Sequence, residues 1–219
     1  MAEISTRAVA TAAAGAMLAV GLAFVSNADA SHGYDRAVRC NGQTVRQVQY
    51  VERSREGAIF RKRKPGPGGR RVSVAYGCLV RSGPVTRLGF ANRIRDPRLA
   101  GRYAGYRRIL YLTEFGSASG MTVVDLKTGR ATVDEAGVPG SEGDSHVQSF
   151  ALKRTGGVAW IGGDETLRNF SVWKVDAAAS GVQQLDSGQQ IDDESMRLSA
   201  DRRSVSWRNG SAERSAPLF

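Results

Sequence analysis

Residues 150–160 (FALKRTGGVAW) and 196–207 (MRLSADRRSVSW) are two versions of one device, and reading them decides the fold. In each, a short apolar segment ending in Leu runs into a turn of small and charged residues, and a second apolar segment then ends in Trp. Leu152 and Leu198 are 46 residues apart, and Trp160 and Trp207 are 47 apart. A third segment recurs beside them, because Thr122-Val123-Val124-Asp125-Leu126 and Ser171-Val172-Trp173-Lys174-Val175 are offset by 49 residues. Both are followed by a turn and another extended stretch, at 131–137 and 182–188. Short strands recurring every 46 to 49 residues are the signature of radially repeated β-units, each of which covers its apolar faces with a neighbour.

Outward from these segments, the same phase takes in Leu99-Ala100-Gly101 and Tyr111, the latter 49 residues before Trp160. Residues 71–80 (RVSVAYGCLV) place large apolar side chains at 72, 74, 76, 78 and 80, the alternation of a half-buried strand. Further strands are predicted at 44–51, 58–63, 108–115, 122–126, 158–161, 170–175 and 204–207. Beyond the first thirty residues no stretch sustains an i, i+3, i+4 apolar stripe. The predicted fold class is all-β: a propeller-like array of about four antiparallel blades. One is divergent (36–92), two are full (95–143 and 144–190) and the last is incomplete (191–219). The segment at 37–48 is expected to supply the strand that the last unit lacks. An open β-sandwich is the alternative.

The units resemble the WD40-like or TolB-like β-propeller repeats of secreted bacterial proteins. The resemblance rests on the VVDLKTG turn at 123–129 and on the paired L…VAW and L…VSW segments, and covers 95–219 and, more loosely, 40–90. The WD dipeptide is absent, as is a Gly-His signature. The resemblance implies a repeat scaffold and says almost nothing about activity.

The amino terminus gives an address. Arg7 precedes an Ala-rich apolar run at 8–25, which ends in Ser26-Asn27-Ala28-Asp29-Ala30. Ala28 and Ala30 form an A-x-A cleavage pattern, so 1–30 reads as a signal peptide and 31–219 as a single β-repeat domain. The rival is a retained membrane anchor, against which stand the eight alanines of the run and the lack of a basic stop-transfer cluster. The expected location is secreted or extracytoplasmic, in the cell envelope. Arginine outnumbers lysine 26 to five, which with the Ala and Gly content suggests a GC-rich bacterial source.

The two cysteines, Cys40 and Cys78, have one pairing available, and an oxidising compartment favours it. The disulfide would close a loop of 38 residues. Charge is uneven: residues 32–108 carry 19 Lys+Arg against 4 Asp+Glu, and 109–219 carry 11 against 15. The sharpest cluster is Arg61, Lys62, Arg63 and Lys64, followed by PGPGG and then Arg70 and Arg71. It reads as a hairpin tip or flexible loop. These six cations are candidates for holding a polyanion; the plainer reading is a solvated loop that protects a strand edge.

Other candidates are weaker. His32 lies next to the cleavage site, and His146 lies in a polar connection with Asp144 and Ser145. No zinc-ligand spacing and no G-x-S-x-G elbow occurs, so no metal, cofactor or catalytic residue is assigned. Asp192-Asp193-Glu194 reads as a solvated turn and Asp134-Glu135 carries less. Trp160 and Trp207, at equivalent positions, are expected to pack between units. The expectation is therefore an exported, non-catalytic interaction or envelope-associated protein. The partner is an anionic cell-surface polymer or another envelope protein, not nucleic acid, with the membrane reached only through an uncleaved leader. The alternative is a polyanion- or glycan-binding protein using the 61–71 segment; a hydrolase ranks third.

Overall fold

A computed structural model describes residues 36–112, 116–140, 145–164, 168–177 and 181–219. The leader at 1–30, His32 and Asp144 lie outside the described residues. Four antiparallel sheets follow one another along the chain. The first contains β1 (Arg36–Cys40), β2 (Gln43–Arg53), β3 (Gly57–Pro65), β4 (Arg71–Leu79) and β5 (Thr86–Phe90). The second contains β6 (Ile94–Ala100), β7 (Tyr103–Leu112), β8 (Ser117–Asp125) and β9 (Arg130–Ala136). β10 (His146–Leu152), β11 (Val158–Asp164), β12 (Asn169–Val175) and β13 (Gln183–Gly188) form the third. β14 (Arg197–Leu198), β15 (Ser204–Asn209) and β16 (Ala212–Pro217) form the fourth. The fold is thus all-β and propeller-like, and the four sheets match the predicted units to within one residue.

The period-2 alternation of each strand gives every inner sheet two apolar faces, and three shared cores result. Ile59, Ala75 and Leu88 of the first sheet pack against Ala104, Tyr106 and Val124 of the second. Met121, Val123 and Val133 of the second sheet meet Phe150, Val158 and Trp160 of the third. Ala159, Ile161 and Val172 of the third meet Val205 and Trp207 of the fourth. Trp160 and Trp207 are buried between sheets, as their repeat position predicts.

The register reveals a device repeated at every interface. Leu99 pairs with Ala104, Leu152 with Val158 and Leu198 with Val205. Two residues beyond each partner stands an aromatic: Tyr106, Trp160 and Trp207. Each donates a hydrogen bond back to the outermost segment of the preceding sheet. The Tyr106 hydroxyl donates to the Leu88 carbonyl at 3.0 Å, and the Trp160 indole to the Gly137 carbonyl at 2.9 Å. The Trp207 indole donates to the Asp186 carboxylate at 2.7 Å. The aromatic body supplies buried area and the polar tip fixes the angle of the next sheet. Gly162 makes room for the second of these ties, because a Cβ there would lie 1.8 Å from the Gly137 oxygen. The equivalent of Trp160 in the second sheet is therefore Tyr106, not Tyr111, which is an exposed residue.

In the first sheet Arg53 pairs with Ala58, so the matching aromatic is Phe60, which has no donor. No preceding sheet exists among the described residues for it to reach. Its face is covered instead by the β1–β2 hairpin, through Val38, Cys40 and Val48 against Ala58, Phe60 and Cys78. The Cys40–Cys78 disulfide joins β1 to β4 across this face, with an S–S distance of 2.04 Å. β1 therefore belongs to the first sheet and does not complete the fourth, contrary to the sequence expectation. The physical reason is that the Phe60 face needs a cover.

The array is open, since no described strand of the fourth sheet pairs with the first. The far face of the fourth sheet is polar: Ser206 lies opposite Ser215, and Arg208 opposite Glu213. A terminal repeat with a polar outer face needs no neighbour.

Candidate functional site

Each sheet turns from its inner strand to its second strand at the same end of the array. The four turns are Ser54-Arg55-Glu56, Gly101-Arg102, residues 153–157 and residues 199–203. They converge on one cavity of about 650 Å³, lined by residues of all four sheets. Side chains from Arg55, Glu56, Arg154 and Arg202 line it, with Leu99, Leu152 and Leu198 behind them. An adjoining cavity of about 400 Å³ is lined by Arg55, Glu56, Arg81 and Arg102.

Local hydrogen bonds shape each turn. In the first, the Ser54 hydroxyl accepts from the amides of Glu56 and Gly57, at 3.2 and 3.1 Å. The Ser199 hydroxyl donates to the Asp201 carboxylate at 2.6 Å, which also accepts the Arg203 amide at 3.0 Å. These two bonds hold the Asp201 carboxyl below its usual range. Between the two anchors Arg202 adopts a left-handed backbone, with φ of 58°. Gly101, with φ of 61°, passes beneath the third turn: a Cβ there would lie 3.2 Å from the Arg154 carbonyl.

Every turn carries at least one arginine, and these give the site its sign. Arg102 is held by Asp125 at 3.2 Å and donates to the Tyr103 hydroxyl at 2.8 Å. Arg154 pairs with Glu56, an ion pair that joins the first turn to the third. Arg55 and Arg202 have no acidic partner among the described residues. Across both cavities and their turns stand six guanidiniums, of Arg55, Arg81, Arg102, Arg154, Arg202 and Arg203. They face three carboxylates, of Glu56, Asp125 and Asp201. Such a concave cationic surface attracts carboxylate, sulfate or phosphate groups, and guanidinium geometry suits bidentate contact with them.

The residues singled out from the sequence lie elsewhere. Arg61, Lys62, Arg63 and Lys64 belong to strand β3, which continues to Pro65, so only the segment between Pro65 and Arg71 is a turn. Alternation sends Lys62 and Lys64 to the Phe60 face, and Lys64 lies 5.3 Å from the centre of the Tyr76 ring. Arg61 and Arg63 go to the Ile59 face. The exposed cations are Arg63, Lys64, Arg70 and Arg71, at the far end of β3 from Glu56. At about 3.3 Å per residue this places the hairpin tip roughly 30 Å from the four-turn cavity.

His146 opens β10, with Nε2 3.4 Å from the Ser117 hydroxyl; no acidic partner to its other ring nitrogen is present among the described residues. Asp134 accepts hydrogen bonds from Arg108 at 2.6 Å and Thr122 at 3.0 Å. Sequence reading missed Arg55, Arg154 and Arg202. The signal was an arginine recurring in each inner turn, with two in the last, visible only when the units are aligned on their turns.

No protein-family model matches the chain, and no curated protein matches it. Among solved structures, it is similar to the β-propeller domain of the Trilobed protease from Pyrococcus furiosus, which has an open velcro topology. The identity is 13%, covering 57% of this chain and 43% of that one, with a TM-score of 0.41. It is also similar to an uncharacterised protein of Listeria monocytogenes EGD-e, at 10% identity over 78% of this chain and 57% of that one, with a TM-score of 0.40. This chain thus spans about half the length of either structure.

Proposed function

We propose that the chain is an exported, non-catalytic interaction protein of a bacterial envelope, and that it holds an anionic partner at the end where its four inner turns converge. The observation that carries this reading is the cavity lined from all four sheets, with no acid paired to Arg55 or Arg202 among the described residues. The disulfide supports an extracytoplasmic location, because such bonds persist where thiols are not kept reduced. The partner is an anionic cell-surface polymer or an acidic face of another envelope protein.

The test is elution from heparin and from immobilised teichoic acid at increasing salt. The Arg55→Gln/Arg202→Gln double variant should elute at clearly lower salt, with an unchanged circular dichroism spectrum. Equal elution of variant and parent would overturn the assignment of the site. A second reading keeps the polyanion but moves it to Arg61, Lys62, Arg63, Lys64, Arg70 and Arg71; the exposure of Arg63, Lys64, Arg70 and Arg71 favours it. Loss of retention on neutralising Arg61, Lys62, Arg63 and Lys64 alone would establish that reading in place of the first. Turnover of chromogenic esters, phosphates or glycosides would overturn the non-catalytic part.

A further inference from the structure

The opposite end of β10 carries a second cavity of different chemistry. Its volume is about 580 Å³, within the range of about 300–1,000 Å³ of small-molecule sites. It is bordered by Arg107, Gln148, Asp193 and Glu194, with Arg168 and Gln189 at its rim.

A bulge interrupts β10 beside the cavity. Val147 pairs with Gly162 and Ser149 with Ile161, so Gln148 is an extra residue on β10 with no cross-strand partner. A bulge re-aims a side chain, and here it turns Gln148 toward the cavity. The side-chain amide nitrogen of Gln148 is buried and has no hydrogen-bond partner among the described residues; the same holds for Arg107 Nε. Arg107 is otherwise fully committed. Its Nη1 donates to the Val147 and Gln148 carbonyls at 2.9 and 3.3 Å, and its Nη2 pairs with Asp96. Both residues that carry these unsatisfied donors line the cavity, and a buried donor is costly unless something accepts from it.

Acceptors face them from the connection between the third and fourth sheets. The Ser149 hydroxyl donates to the Asp193 carbonyl, which ties this connection to the bulge. Asp192 is spent on the turn itself: its carboxylate takes Arg208 and the Glu194 amide, the latter at 3.2 Å. The Asp193 and Glu194 carboxylates are left to the cavity. With Arg107 neutralised by Asp96, one guanidinium, that of Arg168, stands against two carboxylates. That balance disfavours an anion, in contrast to the four-turn cavity.

We propose that this cavity binds a small, neutral, hydroxyl-rich ligand, one or two sugar units in size. Hydroxyl groups meet both requirements at once, accepting from Gln148 and Arg107 and donating to Asp193 and Glu194. The site is independent of the anionic partner proposed above, and the two readings fail separately.

The experiment follows the side-chain amide of Gln148 and the Nε–H of Arg107 by nitrogen-15 NMR during titration with maltose and with N,N′-diacetylchitobiose. At least one disaccharide should shift both signals saturably. Gln148→Leu should weaken that disaccharide about tenfold or more, and yet raise the melting temperature of the unliganded protein by removing an orphan donor. Asp193→Asn should also weaken it, whereas Arg55→Gln/Arg202→Gln should leave it unchanged. Absence of shifts with both disaccharides, or equal affinity in Gln148→Leu, would overturn the proposal. So would a lower melting temperature of unliganded Gln148→Leu, or shifts produced by succinate or glycine instead.

Discussion

Asp186 shows how much one residue can hold. Burial tends to raise its pKa, but donors from Trp207, Asn209 (3.1 Å) and the Ser187 amide (2.9 Å), with the charge of Arg214 at 2.8 Å, outweigh this and hold it below the usual carboxylate range. A carboxylate so depressed adds stability at neutral pH that is lost as pH falls below its unfolded value of about 3.9 and through the folded one. Asp186→Asn would set an amide donor against these donors and should cost about 2 kcal/mol at pH 7, read by urea denaturation. The acid limb of its stability profile below about pH 4 should be flatter than the parent's. Tyr106 is the mirror case: burial pushes its hydroxyl up to about 12, with Asp134 adding to this and Arg108 opposing it. Its contribution is intact below the unfolded value of about 10 and is lost as pH rises toward 12. Tyr106→Phe should cost about 1 kcal/mol at pH 7 and remove that alkaline loss, measured by the same denaturation from pH 9 to 12.

At the scale of elements, what was legible depended on how local each signal was. The sheets follow the predicted units because turn residues and apolar alternation are local. The DLKTG turn is one such signal: the Asp125 side chain accepts from the Lys127 amide at 2.9 Å, and its carbonyl accepts from Gly129 at 2.7 Å. β6 escaped notice because Asp96-Pro97 breaks its alternation at a bulge, where Asp96 has φ of 45°. β7 begins five residues earlier than 108, through Gly105, a position where a Cβ would already lie 3.0 Å from Leu152. That slip misplaced the second-sheet aromatic from Tyr106 to Tyr111. The cationic cavity was not legible, because an arginine in a turn is ordinary and only the packing of four sheets brings these turns together. The disulfide was legible from count and compartment alone. Cys40→Ser/Cys78→Ser should lose about 3–4 kcal/mol by chain entropy for its 38-residue span. Its β1–β2 hairpin should then be cut first in limited proteolysis. Cleavage elsewhere at the same rate would contradict the hairpin's role as a cover.

At the scale of the whole molecule, charge and closure are linked. The 19 to 4 excess of cations in 32–108 feeds both the β3–β4 hairpin tip and the Arg55, Arg81 and Arg102 side of the cavity. The remaining arginines of the cavity come from the acidic half of the chain, so neither half alone makes the site. Because the array is open, these turns are held by three interfaces and the Glu56–Arg154 ion pair, not by a closing strand. That pair is exposed on both sides and worth little by itself.

The backward reach of Tyr106, Trp160 and Trp207 gives the molecule an arrow. Each sheet is sealed by a donor that lies later in the chain than its acceptor, and the earliest aromatic, Phe60, needs none. A ribosome therefore releases each acceptor before the donor that will claim it, and the first sheet is covered by its own hairpin before any neighbour emerges. The first two interfaces can form in the order of synthesis, whereas the third waits for the end of the chain, because Leu218 is buried in its core and its carbonyl accepts from Lys153. Trimming the chain from the carboxyl end at residue 190 should leave the first two interfaces resistant to protease. A chain lacking residues 31–92 should leave Tyr106 and its face uncovered, and should be degraded throughout the second sheet.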